Sequence, residues 1–198
     1  MGTGRGEGNR QAILNAGKDV FLEQGYEGAS MDRIAERAGV TKRTVYAHFA
    51  SKHALFTEAV ARGCANVIGQ MPRASQLGED PRVGLFLALR TSRELMLSPS
   101  CLRLERAVAA EAERHPEFAV QVREAFAAGE ALLREALDGW VASGRLNPHD
   151  TALSARMLSN QVAHATSMRG LMGEPADDPL ALAAVDATVI LFLAAYEA

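Results

Sequence analysis

Apolar residues recur at three- and four-residue spacing along almost all of this 198-residue chain, and alternating apolar–polar runs are absent. That periodicity predicts an all-α fold. A first helix over residues 9–24 places Ile13, Gly17, Val20 and Phe21 on one face, and Gly25 stands where a helix-ending glycine is expected. Ser30 is suited to cap a second, short helix with Asp32 in its first turn and Ile34 and Ala35 facing inward. Gly39 breaks that helix, Val40 anchors the turn, and Thr41 caps a third helix reaching to about His48. Ser51 caps a fourth, which continues through Leu55, Phe56, Ala59 and Val60 towards Gln70.

Longer helices follow the Pro- and Gly-punctuated residues 72–81. They are expected over residues 82–97, from Pro99 to about His115, and from Pro116 onwards, where Phe118, Val122, Phe126, Leu133, Leu137 and Val141 form a stripe. Residues 143–150 read as a loop, and helices over residues 151–172 and 179–196 complete the chain. The predicted organisation is a three-helix helix-turn-helix domain at residues 10–56, followed at 57–198 by a helical bundle. Residues 1–9, Gly-rich and polar, are expected to be a disordered tail. Their alternating glycines do not make a phosphate loop, since no strand precedes them.

Hydrophobic residues make up 48% of the chain and charged residues 23%, ordinary for a globular protein with a core. The net charge of −3 hides an asymmetry: residues 1–56 carry eight Lys+Arg against six Asp+Glu, or +2, and the remainder thirteen against eighteen, or −5. No carboxylate occurs from Arg37 to Thr57, a stretch holding Arg37, Lys42, Arg43 and Lys52. Such a run is commonly a solvated face, but here it coincides with the helix-turn-helix. Cys64 and Cys101 have neither metal-ligand nor disulfide-framework spacing, and nothing at the start reads as a signal peptide, so the cytoplasm is the expected compartment.

Within residues 30–52, the inward positions Ile34, Ala35, Val40, Val45 and Phe49 are expected to pack against Ile13, Val20 and Phe21. Lys42, Arg43, Thr44, Tyr46, Ala47 and His48 are left on the outside of the third helix, a small, polar, cationic face suited to phosphates and base edges. One local rule is broken. Helix N-termini favour anions, yet Thr41 is followed by Lys42 and Arg43, and Ser51 by Lys52, each cation costing roughly 0.3–1 kcal/mol at low salt. A bound phosphate would turn that cost into attraction, whereas the plain alternative is a set of tolerated surface cations.

Residues 13–56 resemble the DNA-binding domain of the TetR/AcrR family, through GY at Gly25–Tyr26, the IA..AGV pattern at residues 34–40 and the TVY.HF.SK pattern at residues 44–52. The resemblance implies an all-helical homodimer with its recognition helices in successive major grooves. By position, Thr44 and Tyr46 would touch backbone or bases, His48 would sit at the DNA face, and Lys52 would clamp a phosphate at the start of the fourth helix. Ser30 and Thr41 supply the cap hydroxyls of this face, and Lys42, Arg43 and Ala47 occupy the variable positions. Ala47 departs from a common aromatic there.

Residues 102–126 and the SGRL segment at residues 143–146 resemble the C-terminal domain of AefR-like members. This implies an effector pocket among the middle helices and a dimer face made by the last two. The final helix is apolar nearly all round over residues 181–195, with Asp186 and Thr188 the clear exceptions. The helix before it carries Ala155, Ser159, Ala163 and Ser167, which permit close approach. The unbroken apolar stretch at residues 189–195 is far short of the ~20 needed for a membrane span. Candidate effector contacts are Arg90, Met96, Trp140, Met157, Gln161, His164 and Met168. The methionines also suit plain core, and Trp140 and His164 a structural role; Phe86 and Phe118 are read as core.

The expected function is a ligand-responsive regulator, a repressor that leaves a palindromic operator when a small effector binds. The sign of regulation depends on operator position and is not written in the chain. Catalysis is not expected: Glu111 and His115 lie four apart, but EAERH is not the His-Glu-x-x-His zinc pattern and no matching Glu-x-x-His pair appears elsewhere. No cofactor and no metal site are expected. A helical adaptor using the first domain for protein contacts is disfavoured by the acid-free face.

Overall fold

The computed structural model describes residues 3–198 apart from 174 and 176, with side chains from residue 6 onwards. Its elements are helices: α1 (Thr3–Gly28), α2 (Met31–Ala38), α3 (Lys42–His48), α4 (Lys52–Gln70), α5 (Ala74–Leu77), α6 (Pro81–Met96), α7 (Pro99–Glu111), α8 (Phe118–Ala142), α9 (Thr151–Ser159), a π-helical turn (Asn160–His164), α10 (Ala165–Leu171) and α11 (Pro179–Tyr196). Packing divides the chain into two units. One is Met1–Asn66 with Arg103–Arg123, the other Val67–Leu102 with Glu124–Ala198. The predicted domain at residues 10–56 lies wholly in the first, which also recruits much of α7 and the start of α8.

The first unit is built on an aromatic and aliphatic core. Ile13, Val20 and Phe21 of α1 meet Ile34 and Ala35 of α2, Val45 of α3, and Leu55, Phe56 and Val60 of α4; Ala107, Val108 and Phe118 complete it. Phe21 and Phe56 pack edge to face with ring centres 4.9 Å apart, and Phe118 lies 4.5 Å from Phe56. Such pairs add about 0.5–1.5 kcal/mol beyond their buried area. Gly25 ends the regular part of α1 as expected, with φ +71° marking a kink and not a full stop. The expected tail differs from the structure: residues 3–9 continue α1, while residues 1 and 2 lie outside the described residues. A packed helix extends outward without a new nucleation cost, so even a Gly-rich flank can propagate it.

The second unit centres on Leu85 and Leu89 of α6, Leu137 and Trp140 of α8, Leu158 and Val162 from the α9 region, and Val185, Val189 and Leu193 of α11. Three of its helices start on carboxylate caps. Asp80, Asp150 and Asp178 accept backbone N–H groups at the starts of α6, α9 and α11, and Pro follows directly at α6 and α11. Trp140 Nε1 donates to the Gly78 carbonyl oxygen at 3.0 Å, fixing the turn before α6. The helix predicted over residues 151–172 is interrupted by the π-helical turn. The widened turn lets two consecutive residues be buried, Val162 in the main cluster and Ala163 beside Met96 and Cys101. Asn147 N–H donates to the Tyr196 carbonyl oxygen at 2.7 Å, so the loop after α8 fastens the chain's end.

Candidate nucleic-acid interface

Caps at both helices fix the α2–turn–α3 segment. Ser30 Oγ accepts from Arg33 N–H at 3.3 Å, and Thr41 Oγ1 accepts from Thr44 N–H at 3.2 Å while lying 2.8 Å from Thr44 Oγ1. Gly39 takes the left-handed conformation, φ +67°, and donates to the Glu36 carbonyl oxygen at 3.1 Å; Val40 N–H reaches the Ala35 carbonyl oxygen at 3.0 Å. An L side chain would be strained at Gly39, so the sharp turn requires this residue. Val45 is fully buried and Phe49 nearly so, which anchors α3 at its middle and at its C-terminal cap.

With those positions taken, Thr41, Lys42, Arg43, Tyr46 and Ala47 are exposed, and Thr44 and His48 half-buried along the same side. Tyr46 is 47% exposed, unusual for an aromatic ring on a seven-residue helix. The expected face is therefore assembled. Lys42 Nζ lies 2.8 Å from an Asp32 carboxylate oxygen, and this hydrogen bond raises the lysine's pKa above its ordinary value. Arg37 is not part of the face: its guanidinium reaches Glu23 Oε1 at 2.6 Å, ties α2 to α1, and lowers the Glu23 pKa.

Lys52, expected at the DNA face, is engaged by the chain itself. Its ammonium donates to the carbonyl oxygens of Tyr26 at 2.8 Å, Ala29 at 3.3 Å and Glu27 at 3.4 Å, and stands 4.4 Å from the Tyr26 ring centre. The kinked end of α1 leaves carbonyls that need donors, and a cation at a helix C-terminus is favourable. The cation that looked misplaced at the start of α4 is thus well placed at the end of α1.

Residues 13–59 match the family described as bacterial regulatory proteins, tetR family, and residues 84–198 match the AefR-like transcriptional repressor C-terminal domain. The chain belongs to the TetR family. The helix-turn-helix is its DNA-binding element, and the chain is a transcriptional regulator by family. A TetR-family regulator from Mesorhizobium loti superposes with a TM-score of 0.89 at 26% identity, over 98% of this chain and 99% of that one. The flavonoid-responsive regulator FrrA superposes with a TM-score of 0.77 at 26% identity, over 96% and 97%. Among curated relatives, the transcriptional activator FasR of Mycolicibacterium smegmatis is 38% identical over 80 residues, 40% of this chain and 36% of FasR. The chain thus aligns with only about a third of that relative's length. The regulator UidR of Escherichia coli is 25% identical over 75% of each chain.

In this TetR-family chain the expected effector contacts do not come together. Arg90 is exposed, and its guanidinium holds Asp186 through two contacts of 2.7 Å and one of 3.1 Å. It shares the outer face of α6 with Val83 and Leu87. The inner face carries Leu85, Leu89, Arg93 and Met96, so Arg93, 4% exposed, is the arginine turned inward. Helical spacing distinguishes the two once the face is known, and a buried arginine was the signal missed. Met96 and Trp140 are buried in core clusters, while Met157, Gln161 and Met168 point outward; Met157 is 62% exposed and Met168 57%. They sit on the open face because α9–α10 bury the opposite side, at Leu158, Val162 and Ala163. His164 is exposed and stacks on Phe126, ring centres 4.1 Å apart.

Proposed function

We propose that this regulator is a repressor that binds a palindromic operator as a homodimer and releases it when a small effector occupies the C-terminal region, residues 57–198. The observation that carries the reading is the outward face of α3, where Lys42, Arg43 and Tyr46 stand exposed beside a buried anchor at Val45. Ser30, Thr41, Thr44, Ala47 and His48 complete the contact surface, and Lys52 joins the start of α4 to the end of α1 in the same unit. Two copies of α3 must meet half-sites about 34–36 Å apart, so an effector that changes their spacing abolishes joint engagement. The name of FrrA, a flavonoid-responsive regulator, supports response to a small molecule. Arg93 and Met96 on the inner face of α6 take the place of Arg90 as candidate effector contacts. FasR is named an activator, so the opposite sign is the second reading, and operator position decides it.

The dimer face is assigned to α9–α10 and α11. Leu153, Met157 and Met168 on one, and Leu180, Ile190 and Leu191 on the other, are large apolar side chains left exposed. So many large apolar side chains left in water on these helices support an interaction site there. α11 is 18 residues long with a mean hydropathy of 1.9 and is 22% buried, which also meets the length and composition of a membrane span. Asp186, ion-paired with Arg90 midway along it, would be costly in hydrocarbon, which favours a second copy and a cytoplasmic protein.

The test is operator binding by fluorescence anisotropy as a function of salt, using fragments selected from a genomic pool. Lys42→Ala with Arg43→Ala is expected to weaken binding and to reduce the salt slope by about 1 for each phosphate no longer neutralised. An unchanged slope contradicts the reading.

A further inference from the structure

We propose that His53, His115 and Glu117 form a binding site for a divalent transition-metal ion, zinc foremost, within the DNA-binding unit. His53 Nε2, His115 Nδ1 and a Glu117 carboxylate oxygen all lie within 4.8 Å of one another. Glu117 Oε1 is the hub, 2.7 Å from His53 Nε2 and 3.4 Å from His115 Nδ1. A tetrahedral zinc with bonds near 2.0–2.2 Å needs ligand atoms roughly 3.3 Å apart, which small rotations of these part-exposed side chains supply. Two imidazoles and one carboxylate leave a fourth position for water, a donor set that suits zinc over magnesium or calcium.

The rings are held from behind. His53 and His115 lie 4.8 Å and 5.0 Å from the ring of Phe118, which is fully buried, and Tyr26 stands 5.4 Å from His115. A hydrogen-bonded His53–Glu117 pair alone would account for one imidazole. The second, converging on the same oxygen, is what makes a chelating set. Glu27 and Glu111 also approach His115, but the Arg114 guanidinium lies 4.0 Å and 3.6 Å from their carboxylates and already supplies positive charge there. The ion is therefore assigned to the His53 side. It would join the first turn of α4 to the segment leading into α8, positions 64 residues apart in the chain. None of the three ligands belongs to the α3 face, so the site does not depend on how the operator is bound.

The test uses untagged full-length protein stripped with a chelator and titrated with Zn²⁺ against a chromophoric competitor. The expected result is one equivalent per chain and a rise in thermal midpoint of about 5 °C at saturation. His53→Ala, His115→Ala and Glu117→Gln should each weaken binding at least tenfold and remove that rise, while His164→Ala changes neither. Glu117→Gln retains a hydrogen-bonding side chain of the same shape, so it decides the matter if a histidine variant fails to fold. Substoichiometric binding, or an affinity indifferent to all three substitutions, overturns the proposal.

Discussion

The ammonium of Lys52 sits 2.8 Å from the carbonyl oxygen of Tyr26 and 4.4 Å from the centre of the same residue's ring. One side chain thereby closes the end of α1 against the start of α4. Because the charge is engaged by the chain itself, Lys52 and the α3 cations should behave differently under substitution.

Lys52→Met should lower stability by about 2 kcal/mol, through removal of a charged hydrogen bond and of the cation–ring interaction. Urea denaturation measures the change. Operator binding at permissive temperature should keep its salt slope, since every phosphate partner is retained; a reduced slope would return Lys52 to the DNA surface.

Asp32 holds Lys42 in the free protein, at 2.8 Å, and both groups are exposed. On the proposed reading a phosphate replaces the carboxylate on binding, and the negative charge of Asp32 opposes the approach of DNA. Asp32→Asn is therefore expected to tighten operator binding roughly threefold to tenfold at low salt. Weaker binding by the variant would show that Asp32 orients Lys42 and does not restrain it.

Leu191 is 71% exposed on α11 and Met157 62% exposed on α9. Leu191→Glu and Met157→Glu should each yield a monomer in sedimentation velocity with helical content unchanged, because neither side chain is part of its own chain's core. A dimer persisting in both variants would move the interface elsewhere.

Burial pushes the Cys64 thiol up to about 11, from an ordinary value of 9.0. At pH 8 its thiolate should be about a hundredfold scarcer than in the unfolded chain, and alkylation slower by a similar factor. The fold favours the neutral thiol, so this contribution to stability is complete below about pH 9 and is lost as pH rises towards 11. Mass-spectrometric labelling with and without urea checks the rate, and equal rates would show that Cys64 is open.

The helix-turn-helix was legible because its signals are local. Ser30, Gly39 and Thr41 are cap and turn residues whose roles depend on their neighbours in sequence, and Val45 and Phe49 fall on one helical face. What stayed hidden depends on distant chain segments. That Lys52 reaches the end of α1, some 25 residues earlier, could not be read from its place at the start of α4. Arg90 and Arg93 are three apart, and periodicity alone gave no reason to prefer either until α11 placed Asp186 beside the first. Met157, Gln161 and Met168 read as pocket candidates because an exposed face and a ligand-lining face leave the same pattern in a sequence. Glu111 and His115 were visible as a pair, but His53 joins His115 only through the fold, so the proposed metal site had no sequence spacing to reveal it.

The most direct test of the central claim, that α3 enters the major groove once per subunit of a dimer, is methylation interference at guanine N7 on a selected operator. The expected result is two interfering clusters centred one helical turn apart, about 10–10.5 base pairs, or a multiple of that spacing, each abolished in the Lys42→Ala/Arg43→Ala protein. A single cluster, or two clusters that persist unchanged in the substituted protein, would contradict it.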